Sequence, residues 1–220
     1  MVDIILRPEG QLAGRAVAIL MESDYVEPEI DYYRRRFAEE GAEVDLLTRL
    51  WGEPRLTFSG HEHGLPITVD GDLEALDAAA LRRYDALIVP SGMVADRLRY
   101  AETAGDLSPA VRLLRTAFAE PSVLKGVICH GMWLLAPIPD VVRGRPVTCH
   151  HNLVHDVRNM GAHYADQDVV VDGDLVTARS ADHCHVFART LIDLIAARAA
   201  RRDRRWWRAS VPTRREVSGA

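Results

Sequence analysis

Cysteine is scarce in this chain of 220 residues: Cys129, Cys149 and Cys184 are its three cysteines, and no two form a Cys-x-x-Cys pair. So few and so scattered, they exclude a disulfide framework and read as free thiols. Long apolar runs are missing as well. None approaches the roughly 20 residues that span a bilayer, so no membrane partner is expected. The opening stretch MVDIILRPEG meets an acidic residue at once and lacks the basic start, long apolar centre and small-residue cleavage site of a secretory signal, which gives a cytoplasmic expectation. A basic surplus is absent too. With a formal net charge of -5 there is no global attraction for phosphates, and no nucleic-acid partner is expected.

What is present is an ordinary globular composition, 48% hydrophobic and 27% charged, which favours one domain with a short appendage. RAVAIL (15–20) has the apolar density of a central strand. Pro28 suits a first helical position, EIDYYRRRFAEEG then carries Ile30, Tyr33 and Phe37 on one side, and Gly41 closes the helix. AEVDLL (42–47) resumes as a strand, completing a strand, crossover helix and strand. The stretch 48–73 is irregular around a strand-like LPITVD, and DLEALDAAALRRY reads as a helix. DALIVPSG is another buried strand, SPAVRLLRTAFAEP an amphipathic helix, and CHVFARTLIDLIAARAARR the last helix. Alternating strands and helices imply a mostly parallel sheet covered on both faces. The terminal RRDRRWWRASVPTRREVSGA is basic and turn-rich; it reads as a solvated helix end and tail, with docking of Trp206 and Trp207 on a partner subunit as the sharper alternative.

The chemistry concentrates at VLKGVICHGMWLLA. An apolar strand hands over at Cys129 to a short helix, as in a nucleophile elbow, and Gly131 lets backbone pass close beside it. Amide groups at the start of that helix are expected to lower the thiol pKa and to hold an oxyanion. His130 supplies one such amide. Gly92 or Met93, in the turn after the neighbouring strand, supplies another. The structural alternative is that Cys129 is a small buried hydrophobe. His61 with His63, His150 with His151, and His183 with His185 lack zinc-site spacing, so no metal is expected.

These segments, together with RGRPVTCHHN and VVVDGDLVTARSADH, occur in the order and spacing of the DJ-1/PfpI (ThiJ/PfpI) superfamily, within the class I glutamine amidotransferase-like fold. The chain resembles that family from about Gly14 to about Ala197. The resulting domain reading is an extension over 1–13, a DJ-1/PfpI-like domain over 14–197 and a basic tail over 198–220. The resemblance implies an α/β flavodoxin-like three-layer sandwich, a cysteine nucleophile and a homodimer or higher homo-oligomer. It also implies an acid from the loop after the first strand. Aligned without a gap that position is Val26, and a one-residue adjustment brings Glu27 to the role, with Glu22 as another donor. Family peptidases and deglycases use a Cys-His-acid triad with the acid from a neighbouring subunit; His130 and Asp96 occupy those positions. His150 matches a pocket position and is a further acid/base candidate. The expected activity is cofactor-independent chemistry on a small electrophilic substrate, of glyoxalase, deglycase or isonitrile hydratase type. Redox sensing through Cys129 oxidation and PfpI-like peptide hydrolysis are the alternatives.

Overall fold

The computed structural model describes residues 10–210, with side chains as far as residue 201. β1 (Ala16–Leu20) is buried along its whole length and leads into α1 (Glu27–Glu39). Pro28 sits in the first turn of α1, where its missing N–H leaves nothing unpaired, and Gly41 just beyond the helix takes φ +84°. β2 (Glu43–Thr48) is followed by a hairpin of β3 (Leu56–Ser59) and β4 (Pro66–Val69), then by the short β5 (Gly71–Asp72). The helix expected over DLEALDAAALRRY is interrupted. A single turn at Leu73–Ala75 is separated from α2 (Ala78–Leu81) by Asp77, whose carboxylate accepts the Ala80 amide at 2.8 Å and so begins a new helix.

β6 (Ala86–Val89), α3 (Val94–Leu98), α4 (Pro109–Phe118) and β7 (Leu124–Ile128) follow. β8 (Pro146–Val147), α5 (Val154–Asn159), β9 (His163–Tyr164), β10 (Val169–Asp172), β11 (Leu175–Ala178) and α6 (Cys184–Ser210) complete the order. The main sheet has seven strands in the order β10-β11-β7-β6-β1-β2-β5. All its pairings are parallel except β10 with β11, a hairpin that turns at Gly173. The crossovers are of opposite direction on either side of β1, which sets α1 and α6 on one face and α2, α3 and α4 on the other. This is the mostly parallel, doubly covered sheet expected from the alternation and the flavodoxin-like sandwich that the resemblance implies.

Central strands buried on both faces read as unbroken apolar runs, and β1 and β6 do. β7 departs from that rule with two residues. Gly126 admits Phe187 of α6, whose Cζ lies 2.7 Å from where a Cβ would stand, and Lys125 carries a buried ammonium. α6 runs past Ala197 to Ser210, so the body of the fold and the start of the basic segment share one helix. The expected docking of Trp206 and Trp207 lies outside the described side chains, as residues 1–9 of the N-terminal extension lie outside the described residues.

Candidate active site

At the end of β7 the chain turns so sharply that Cys129 takes φ +59°, in the left-handed region that costs a residue with a side chain about 1–2 kcal/mol. The turn presses against the end of β6. A Cβ on Gly131 would stand 2.8 Å from the Val89 carbonyl oxygen and 3.2 Å from that of Pro90. Gly131→Ala is therefore expected to lower stability by about 1–3 kcal/mol, read from the urea midpoint, because backbone on both sides must yield. A midpoint equal to that of the wild type would mean that the elbow is not packed as described.

The short helix expected at the elbow is a 3₁₀ helix, Cys129–Leu135, and the chain reaches Pro137 two residues later. Its seven residues give a weaker dipole than a long helix. The thiol is raised above its ordinary pKa by burial, not lowered. Burial pushes it up, the His130 amide pulls it down, the charge of Glu29 pushes it up again, and the Ser91 side chain and the Ala181 amide pull it down. Cys129 is 6% exposed.

His130 lies beside it, with Nδ1 3.2 Å from Sγ. Burial and then the neighbouring His150 hold this imidazole below its usual pKa, so it is neutral and able to accept a proton near pH 7. The His150 ring lies 4.5 Å from that of His130, centre to centre, and its Nδ1 accepts the Asn152 amide at 3.3 Å. The edge of Trp133 packs on His130 from another side at 4.9 Å.

The carboxylate at the site is not the one expected. Glu27 faces away from the sulfur: its oxygens accept the His63 amide at 2.8 Å and the Glu62 amide at 2.9 Å. Burial would raise this group, but the amides of Glu62 and His63 outweigh it and hold Glu27 at about 2. Gly60 makes room for it, since a Cβ there would stand 2.1 Å from the Glu27 carboxyl carbon. Glu27 thus fastens the loop of the β3–β4 hairpin to α1. Glu22 accepts the adjacent Ser23 amide at 2.7 Å.

Glu29, two residues further along α1, is the acid that faces Cys129. It is 1% exposed, and the Ser91 amide donates to its two oxygens at 3.3 and 3.2 Å. Burial raises its pKa to about 7 against the opposing pull of Ser91 and Tyr33. The hydroxyls of Ser91 and Tyr33 face the carboxyl group, and neither completes a hydrogen bond of full geometry.

Of the expected oxyanion donors, Met93 is engaged elsewhere: its amide donates to the Asp24 carbonyl at 3.1 Å. Gly92 takes φ +79° and permits that close approach, a Cβ there falling 2.3 Å from the Asp24 oxygen. The His130 amide faces the sulfur, and so does the Ala181 amide, which sequence reasoning missed. Asp96 stands exposed on α3, and within the chain the shift of His130 comes from burial and His150. Cys149 is fully buried, its thiol pushed to about 12 by burial and then by Cys129. Among the described residues no group of three or more His, Cys, Asp or Glu side chains is placed to hold a metal ion.

The 48–73 segment, which carries the β3–β4 hairpin, borders a cleft of about 470 Å³ lined by Tyr25, Ile30, Arg34, His63, Leu65 and Ile67. None of the residues around Cys129 lines it. We place the chemistry at Cys129 on the convergence of thiol, imidazole and buried acid, which cleft size does not report. Phe58 of the same segment is in the core, while Trp51 is half exposed.

Known proteins agree with this architecture. The chain is 32% identical to protein/nucleic acid deglycase 2 of Escherichia coli over 185 residues, 84% of this chain and 99% of that protein. Its fold superposes on the crystal structure of Drosophila melanogaster DJ-1beta with a TM-score of 0.68 at 21% identity, covering 83% of this chain and 91% of the other. It superposes also on a two-domain protein from Anabaena variabilis with DJ-1/ThiJ/PfpI-like and ferritin-like domains, with a TM-score of 0.72 at 24% identity, covering 93% of this chain and 52% of that one. The family model of DJ-1/PfpI matches residues 15–194, a span that contains β1, the cysteine elbow and the start of α6, and the chain belongs to the DJ-1/PfpI family.

Proposed function

We propose that this protein is a cofactor-independent enzyme in which Cys129 adds to the electrophilic carbon of a small carbonyl compound. The observation that carries the reading is the Cys129 Sγ to His130 Nδ1 contact of 3.2 Å, at a strained turn that also faces the buried Glu29. A raised thiol pKa means that the sulfur keeps its proton until a base takes it. Neutral His130 accepts that proton at Nδ1 as the S–C bond forms. The carbonyl π pair moves to oxygen, which takes a proton from Glu29, a group present in both protonation states near pH 7. The product of this step is a hemithioacetal on Cys129.

Glyoxalase-type turnover follows if a base takes the proton of the hemithioacetal carbon while the adjacent carbonyl oxygen gains one, and the enediol so formed is protonated at the second carbon as the first oxygen loses its proton, giving a thioester that water hydrolyses to a 2-hydroxy acid and free thiol. Deglycase-type turnover starts from the same addition, and the name of the Escherichia coli relative supports that class. Isonitrile hydration uses the same nucleophile on a different electrophilic carbon. Asp96, exposed on α3, would serve as the acid that holds the tautomer of His130 in a second copy, in a dimer or higher homo-oligomer. Among the described residues no helix is long and apolar enough to cross a membrane.

Mass spectrometry after incubation with methylglyoxal, and separately with an alkyl isonitrile, tests the reading. A covalent adduct on the peptide containing Cys129, with turnover lost in Cys129→Ser, is expected for at least one of the two. Turnover undiminished in Cys129→Ser removes the proposal. Selective peroxide oxidation of Cys129 without turnover of either compound would instead favour a redox role.

A further inference from the structure

Tyr33 lies one helical turn after Glu29 on the buried face of α1, and it is fully buried. Its ring is held between Phe37, at 6.3 Å, and Phe187 of α6, at 5.9 Å. Those contacts leave the hydroxyl group no freedom to reach solvent. A buried hydroxyl is almost always hydrogen-bonded, yet this one completes no such bond. The groups that face it are the Glu29 carboxyl, with Cys184 at the start of α6 and Cys129 at the elbow farther in effect. A carboxylate is the strongest acceptor of the three.

We propose that Tyr33 is a positioning residue for the proton of Glu29: its hydroxyl donates to one carboxyl oxygen and leaves the other, on the side of Ser91 and Cys129, as the place from which the proton is given and regained. The inference rests on the acid role assigned to Glu29 above. Ser91 and two thiols also bear on the same carboxyl. The Ser91 amide, from the turn after β6, reaches both oxygens and so does not choose between them. Cys129 and Cys184 are thiols that ionise above neutrality, each raised in part by the Glu29 charge, so near pH 7 neither competes for the proton. The Ser91 hydroxyl faces the carboxyl from the turn after β6, and Tyr33 is the hydroxyl that faces it from α1 itself.

A donor to the ionised carboxylate favours the charged form, so its removal makes Glu29 hold its proton to higher pH. Carbon-13 NMR of protein labelled at the glutamate carboxyl carbons reads this directly, with the Glu29 signal identified by its loss in Glu29→Gln. Tyr33→Phe removes only the hydroxyl and keeps the ring between Phe37 and Phe187. The Glu29 titration is expected to move up by about half a pH unit or more in Tyr33→Phe. It should do so equally in the Cys129→Ser background, where no turnover is needed, so this inference and the enzymatic reading can fail separately. In turnover assays the falling limb of the kcat/KM pH profile that follows Glu29 should shift with it, while Tyr33→Phe/Glu29→Gln should be no slower than Glu29→Gln alone. An unmoved Glu29 titration, or an additive loss in the double variant, overturns the proposal; a purely structural role for Tyr33 gives that second result.

Discussion

Glu29→Gln is expected to lower kcat for the carbonyl substrate about a hundredfold or more and, in the same protein, to raise stability at pH 8 by about 2–3 kcal/mol. Both effects come from one cause. A buried carboxyl with a folded pKa of about 7 is an acid kept where water would not leave it protonated. Glutamine retains the shape and can still accept the Ser91 amide, but has no proton to exchange with a developing oxyanion. The stability effect has a definite sign. Below pH 4.5 the carboxyl is protonated in both folded and unfolded chains and contributes no pH dependence. Between 4.5 and about 7 the unfolded chain releases the proton while the folded chain holds it, so stability falls as pH rises through that window. Above about 7 the loss is complete. Urea unfolding of wild type and variant at pH 4, 6 and 8 should therefore give curves that diverge upward, with the variant ahead. Equal midpoints at pH 8 would show that Glu29 ionises as freely as an exposed carboxylate, and its role as proton donor would fall with that result.

The same residue shows what was legible in the sequence. Strand and helix alternation, the elbow at Cys129 and the parallel sheet could all be read, because apolar runs and their Gly and Pro boundaries are local signals. Glu29 could not be read by placing the family acid position by position, since that register ends at Val26 and invites Glu27. Helix periodicity held the better signal. Ile30, Tyr33 and Phe37 mark the inward face of α1, and stepping back four residues from Tyr33 reaches Glu29. An acid on an apolar face is a buried acid. The Ala181 amide and the Ser91 hydroxyl carry no such pattern: they reach the sulfur through strand register, β11 lying beside β7 and β6 on its other side. The raised thiol was also out of reach. Burial decides its direction, with the Glu29 charge adding to it, and neither is visible in ICHG.

The helix of DLEALDAAALRRY and the oxyanion role of Met93 failed for a shared reason. Short polar side chains and carbonyls compete locally with regular structure. Asp77 captures the Ala80 amide and restarts the helix; the Asp24 carbonyl captures the Met93 amide before a substrate could. Asp24 itself takes φ +61°, a conformation its neighbours in the sequence do not announce.

Lys125→Met is expected to cost about 3–5 kcal/mol, although methionine is apolar and nearly as long. Lys125 lies on the strand that ends in Cys129, and its side chain is wholly buried. Its ammonium donates to the carbonyls of Val123 at 2.9 Å and Ala117 at 3.2 Å, and pairs with Asp174 in the turn between β10 and β11. The Phe118 ring covers it at 5.2 Å. Burial pulls the ammonium below its ordinary pKa while Asp174 pushes it back up, so the pair barely offsets its own desolvation. The loss in the variant arises from what remains: carbonyls without donors in a dry site and Asp174 left to Arg145 alone, at 2.9 Å. Chemical denaturation at pH 7 reads the cost. It should shrink as pH falls through the depressed folded pKa of Asp174, because a protonated aspartate no longer needs the cation. A variant as stable as wild type at pH 7 would mean that the carbonyls find water when the lysine leaves, and that the base of β7, with the elbow above it, is held by its apolar neighbours instead.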